Sequence, residues 1–313
     1  MTNYIIRSIF RTLVIMFLVM TIVFFVIRLG PYDPTTLMLG DYVEESKIVQ
    51  LKQTLGLDQP LYTQYFRFLV QMAHLNLGDS YYSGESVVNL LGDVMPSTLD
   101  LLVASLLVGL VLGVVPGILA ATRPNSIFDH ILRLGTLVGI SIPEFVIGLF
   151  LIALFALELS WFPAIGGSGS DGFQERLSYL VLPAFSIGIG MMAGIARLTR
   201  AAMLEILSKN YIETARAKGV KEVMVVLKHG FRNALLPLVT YLGILINYLL
   251  GAAVIVEIVF TRPGVGRLIV DAIKNADFPV VQLVLMFYAG AVVLVNLLVD
   301  IAYCFADPRI AYK

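Results

Sequence analysis

The sequence predicts an all-helical, polytopic membrane protein with six transmembrane helices, and three observations carry that prediction. Of 313 residues, 58% are hydrophobic and only 14% charged, well outside the range of soluble domains. Apolar runs near the length of a spanning helix recur along the chain. Lys and Arg gather on alternate connections between those runs. The formal net charge is zero, so the balance implies no nucleic acid partner. Cys304 stands alone, and His74, His130 and His229 are scattered without a His-Glu-x-x-His pattern, so neither a metal site nor catalytic residues are predicted.

The first run, from Ile9 to Leu29, follows Arg7 and is long enough to cross a hydrocarbon core as an uncleaved anchor. From Gly30 to about Ser97 the chain is polar and acidic, which predicts an extramembrane loop. Within it Leu61, Tyr65, Phe66, Phe68, Leu69 and Met72 recur at helical spacing and predict a short amphipathic helix packed on its own protein. The remaining spans are predicted at about Leu99 to Ala121, Leu134 to Leu157, Tyr179 to Ala196, Ala234 to Val256 and Val280 to Ala302. The fourth of the six is the shortest, beside Pro183 and broken by Gly188, Gly190 and Gly194. Six spans put both termini on one side, with fourteen basic residues there against eight on the other, so that side is predicted to be cytoplasmic. Trp161 and Phe162 close the third span at the opposite interface, and the Gly-Ser run at 166 to 172 reads as a linker.

The 36-residue polar stretch from Arg197 to Arg232 falls on the cytoplasmic side and reads as helix, glycine turn, helix. Gly219 has the place of a left-handed helix stop. After it, Val223, Val226, Leu227, Phe231 and Ala234 form one predicted apolar face, opposite Glu222, Lys228, His229 and Arg232. Before it, Ala215, Ala217 and Gly219 leave the backbone nearly bare between Arg216 and Lys218. A basic surface helix attracted to anionic lipid accounts for the charges. It gives no reason for the small residues, which favour close approach of another protein.

Tyr211-Ile-Glu-Thr-Ala-Arg-Ala-Lys-Gly219, with His229-Gly-Phe-Arg-Asn-Ala-Leu-Leu-Pro237, closely resembles the cytoplasmic Glu-Ala-Ala-type motif of bacterial ABC importer permeases, in the form found in the dipeptide, oligopeptide and nickel importer family. The likeness extends to Leu55-Gly-Leu-Asp-Gln-Pro-Leu61, Asn76-Leu-Gly-Asp-Ser80, Ser141-Ile-Pro-Glu-Phe145, Ala196-Arg-Leu-Thr-Arg200, Glu257-Ile-Val-Phe-Thr-Arg-Pro-Gly-Val-Gly266, Asn296-Leu-Leu-Val-Asp300 and Asp307-Pro-Arg309. It implies the type I ABC importer transmembrane fold and the B-type permease subunit. It also implies an organisation into an anchor span (1–29), an extracytoplasmic loop region (30–98), a transmembrane domain (99–302) with a coupling loop at 197–233, and a cytoplasmic tail (303–313). Tyr211, Ile212, Glu213, Ala215, Arg216, Ala217, Lys218 and Gly219 would then form the coupling helix. Glu213 and Arg216 would be available to pair across the interface, and Pro237 would lie near the start of the next span.

The same resemblance implies a second homologous permease subunit, two ATPase subunits that bind ATP and Mg, an extracytoplasmic binding protein, and import of di- or oligopeptides. Nickel or a metal chelate is the alternative cargo. A stand-alone carrier or a membrane-embedded enzyme is the alternative from another class. The chain carries no Gly-x-x-x-x-Gly-Lys-Ser/Thr loop, so it is expected to need a partner for ATP hydrolysis and to hold no cofactor of its own. Intramembrane polar residues mark possible path positions: Glu144 beside the kink at Pro143, Ser186, and Asn247 with Tyr248, the last three being equally suited to bridging helices. The family's Gly-Asp-Pro has two extra residues here, Gly30-Pro-Tyr-Asp-Pro34, which touches the docking of a binding protein rather than the transport reading.

Overall fold

The computed structural model describes residues 2–30, 35, 45–74, 77–166 and 172–306. Helices dominate: α1 (Thr2–Leu29), α2 (Glu45–Leu55), α3 (Leu61–Ala73), α4 (Val87–Thr122), α5 (Ile127–Ser141), α6 (Glu144–Leu151), α7 (Phe173–Leu207), α8 (Asn210–Ala217), α9 (Arg232–Val259), α10 (Val265–Lys274) and α11 (Phe278–Ala306). Among the described residues, five helices are long and apolar enough to cross a membrane, and the bent pair α5–α6 makes a sixth when counted as one broken span. Parts of the Gly-Ser linker, the Gly30-Pro-Tyr-Asp-Pro34 variation and the Asp307-Pro-Arg309 ending lie outside the described residues.

Two compact units result, residues 1–96 with 264–294 and residues 97–263 with 295–313. In the first, Phe24 of α1 packs at 5.2 Å on Tyr65 and 5.3 Å on Phe68 of α3, ring centroid to centroid. Tyr65 and Phe68 of the predicted apolar face thus meet their own protein, whereas Leu61 and Phe66 of that face are exposed. Val87, Leu91, Val265, Ile269 and Val284 form the core of this unit. The segment before α4 is closed by Asp277, which accepts from Ser80 Oγ at 2.5 Å and from the Tyr81 backbone N–H at 3.0 Å.

The second unit is built around α7, which packs on α5, α6 and α9. It also takes a glycine edge of α4. Leu101, Ser105, Gly109, Gly113, Gly117 and Ala121, four residues apart, face inward, whereas Leu99, Val103, Leu107, Val111, Val115 and Leu119 are exposed. A Cβ on Gly113 would stand 2.7 Å from Ile195 Cβ, and one on Gly117 would stand 2.8 Å from the Ala196 carbonyl. Small residues at this spacing let membrane helices approach to backbone contact, and dispersion then replaces the missing hydrophobic force. Gly117→Val is expected to cost about 1–3 kcal/mol and to lower the unfolding midpoint in detergent, since backbone cannot yield as a side chain can.

The spans differ from the expectation in four places. Helix α4 begins at Val87, not at the apolar run starting at Leu99. The fourth span is one unbroken helix of 35 residues, because Gly188, Gly190 and Gly194 sit at close contacts rather than at breaks. At about 1.5 Å per residue it exceeds a hydrocarbon core by some 20 Å, so residues expected in the polar loop from Arg197 onward continue it. The third span is more than kinked. Helices α5 and α6 meet at 101°, with Ile142 extended at φ −97° and ψ 121°, the conformation favoured before a proline. Finally, a π-helical turn (Val225–Phe231) runs straight into α9, so Pro237 lies inside a helix and not near its start.

Candidate functional site

Helix α8 is short, and its stop is visible. Gly219 takes φ +76°, its N–H donates to Arg216 O at 2.9 Å, and Val220 N–H donates to Ala215 O at 3.2 Å. These bonds satisfy the last carbonyls of α8 and turn the chain, as a left-handed glycine allows. On one face Ile212 and Ala215 are buried against Val225, with Leu207 and Val220 around them. Tyr211, Glu213, Arg216, Ala217, Lys218 and Gly219 are exposed.

Two details differ from the sequence reading. Ala215 is small because Val225 lies beneath it, so only Ala217 and Gly219 remain as a bare, outward-facing pair. Arg216 pairs within the chain, its Nη2 and Nε donating to Glu222 at 2.7 and 3.1 Å, whereas the sequence left it, like Glu213, available to pair across an interface. That hydrogen-bonded ion pair holds the Arg216 guanidinium above its ordinary value.

Helix α8 is also tied to the helix that follows. Asn233 Nδ2 donates to Tyr211 Oη at 3.0 Å and to His229 O at 2.9 Å. Three links therefore connect α8 to the continuous helical stretch 222–259 that contains the π turn and α9: Arg216–Glu222, Tyr211–Asn233 and the Ile212–Ala215–Val225 cluster. The wider π turn changes which side chains face inward. Val225, Val226 and Gly230 are buried, while Val223 and Leu227, expected on the apolar face, are exposed.

Elsewhere in the second unit is an ion pair that local pattern does not reveal. Asp129, wholly buried near the start of α5, binds Arg200 of α7 through both oxygens: Nη2 to Oδ2 at 2.7 Å and Nε to Oδ1. The Asn125 N–H adds a bond to Oδ2 at 2.9 Å, Ser126 caps the helix by accepting from Asp129 N–H at 3.2 Å, and Arg133 stands 3.8 Å away. Ser126-x-x-Asp129 was a legible capping signal; its partner 71 residues away was not.

The intramembrane candidates fall into separate groups. Ser186 Oγ donates to the Glu144 carbonyl at 2.6 Å, and the Glu144 side chain lies over Gly190, where a Cβ would stand 3.1 Å from Oε1. Glu144 and Ser186 thus share the α6–α7 contact. Asn247 donates to Asn296 Oδ1 at 2.9 Å, a bridge between α9 and α11. Tyr248 is exposed on α9, and no hydrogen bond among the described residues brings it to the other three. Glu257 is fully buried and accepts from Thr98 Oγ1 at 2.6 Å, a structural bond between α9 and α4. The Asp300 side chain lies outside the described residues.

A multi-span helical bundle with a short helix braced within the basic loop has the architecture of a multi-pass membrane protein. The chain belongs to the family of binding-protein-dependent transport system inner membrane components, whose model matches residues 113–312, with the family's N-terminal membrane-component model matching residues 1–102. It is 38% identical, over 99% of both chains, to a probable peptide ABC transporter permease of Sinorhizobium fredii. It is 37% identical, over the full length of both chains, to the glutathione transport system permeases of Shigella flexneri and Escherichia coli. The chain is a multi-pass inner-membrane permease component.

Proposed function

We propose that this protein is one half of the translocation pathway of an ATP-driven importer of short peptides, with α8 as the helix that docks in an ATPase subunit. The bracing of α8 against the helical stretch 222–259 is the observation that carries the docking assignment. Three independent contacts hold an otherwise isolated two-turn helix, so force applied at exposed Ala217 and Gly219 passes through Arg216–Glu222 and Tyr211–Asn233 into a long membrane helix. The names of the relatives favour peptides as cargo.

In this reading both termini and α8 are cytoplasmic, the 30–98 region faces outward towards a binding protein, and a second permease completes the path. ATP and Mg belong to the two partner ATPase subunits. ATP binding draws the docking helices together and opens the path outward, and hydrolysis resets it. Affinity purification of the tagged chain from gently solubilised membranes tests the assembly. ATPase subunits and a second permease should co-purify, with ATP hydrolysis stimulated by the loaded binding protein. A chain that purifies alone and transports alone would contradict it.

Glu144 is the first choice for a residue on the path, since it heads α6 at the sharpest bend in the spans. Glu144→Gln is expected to lower peptide uptake several-fold while the complex still assembles. Unchanged uptake would remove Glu144 from the path and leave it a packing residue over Gly190. Asn247 is assigned the bridging role, with Ser186 a support for the Glu144 backbone and Tyr248 a secondary candidate.

A further inference from the structure

The first unit contains a half-open cavity of about 480 Å³, within the size range of small-molecule sites. Two donors on its lining have no acceptor: Arg28 Nη1 and Gln282 Nε2, both buried. Arg28 is fixed from its other sides. Its Nε donates to Gln64 Oε1 at 2.9 Å, and its guanidinium carbon stands 4.2 Å from the centroid of the Phe24 ring. Phe24 is itself fully buried and clasped by Tyr65 and Phe68. The guanidinium therefore rests on an immobile aromatic face with one edge unspent.

No carboxylate among the described residues neutralises it. Asp79, the acidic residue of the lining, is exposed and forms no ion pair with Arg28. Asp277 spends its oxygens on Ser80 Oγ and the Tyr81 N–H. Burial holds the Tyr81 phenol above its ordinary range even though Arg28 pulls it down, so Tyr81 supplies no negative charge at neutral pH. A half-buried cation and a buried amide donor, both lacking acceptors, are costly to leave unmatched.

We propose that this cavity is a carboxylate-binding site, in which Arg28 and Gln282 receive the carboxylate of a small ligand, either a free monocarboxylic acid or the C-terminus of a short peptide. A guanidinium edge matches a planar carboxylate through parallel N–H donors. A doubly charged tetrahedral anion fits less well: its second charge meets only exposed Arg67, and Asp79 opposes it. The site stands on the geometry of the first unit and does not rest on the transport reading.

Equilibrium dialysis of the full-length chain in nanodiscs tests it, with labelled acetate, N-acetyl-alanyl-alanine, the C-terminal amide of that peptide, and inorganic phosphate as probes. The peptide acid should bind and its amide should not, and Arg28→Gln should weaken binding about ten- to a hundredfold, the loss of one charge-assisted contact. Acetate binding alongside the peptide identifies a site for any small carboxylate, and binding of the peptide alone identifies a C-terminus site. Gln282→Glu sets a carboxylate in the cavity at unchanged volume, so it should block binding while the chain keeps its melting temperature, which covers the case of a misfolded Arg28→Gln. Equal binding of acid and amide, phosphate binding tighter than carboxylates, no binding of any probe, or unimpaired binding by a folded Arg28→Gln or Gln282→Glu would overturn the proposal.

Discussion

Ala217→Arg is expected to cut substrate-stimulated ATP hydrolysis and uptake by the assembled transporter at least about tenfold, equivalent to ~1.4 kcal/mol of lost docking free energy, without lowering the stability of the chain itself. The second half of that statement comes from geometry. Ala217 is exposed, and its neighbours Ile212 and Ala215 carry the packing of α8. A long side chain there starts from an exposed position, so a loss of activity with unchanged stability reports on the surface that presses against it. Gly219 offers a harsher companion. No atom lies within 4 Å of a Cβ built on it, but its φ of +76° is costly for a side chain, by about 1–2 kcal/mol. Gly219→Asn tolerates that backbone and should retain more activity than Gly219→Arg, which adds bulk to strain. Wild-type uptake and ATPase coupling by Gly219→Arg would remove α8 from the transmission path.

Asp129→Ala should destabilise the second unit by about 2–3 kcal/mol, because it leaves Arg200, whose side chain keeps 18% of its surface exposed, without its bidentate partner and the Asn125 N–H without its acceptor. The unfolding midpoint in detergent measures it. The pair also joins α5 to α7, so the loss is cooperative with the bundle rather than confined to a helix end. Replacing both partners with apolar residues of similar size should recover most of the stability, since a matched apolar contact costs no desolvation of charge. A double variant as unstable as Asp129→Ala would show that the other bonds of Asp129, from the Asn125 N–H and Arg133, carry the stability rather than the pair with Arg200.

Hydropathy made the spans legible, and a single glycine made the end of α8 legible, because each depends on near neighbours in sequence. What was hidden depends on neighbours across space. Ala215 and Ala217 read alike in the chain, but the position of Val225 makes one a core residue and leaves the other outward. Val226 and Ala234 of the predicted face are buried, but Val223 and Leu227 are exposed and Val225 and Gly230 take their place within the π turn at Val225–Phe231. Pro143 announced a bend without its size, which the extended backbone of Ile142 sets. The glycines of α4 were a readable small-residue stripe at four-residue spacing. What they pack against, Ile195 and Ala196, was not.

The central claim is that α8 meets an ATPase subunit in the cytoplasm, and site-directed cross-linking tests it most directly. Cys304 is the chain's single cysteine, so Cys304→Ser with Ala217→Cys gives one reactive thiol. In inverted inner-membrane vesicles, a short thiol-reactive cross-linker should join that position to the ATPase subunit, more strongly with ATP bound than after hydrolysis. A thiol that reacts only from the outer face, or that links to lipid and permease but never to an ATPase, would contradict the assignment.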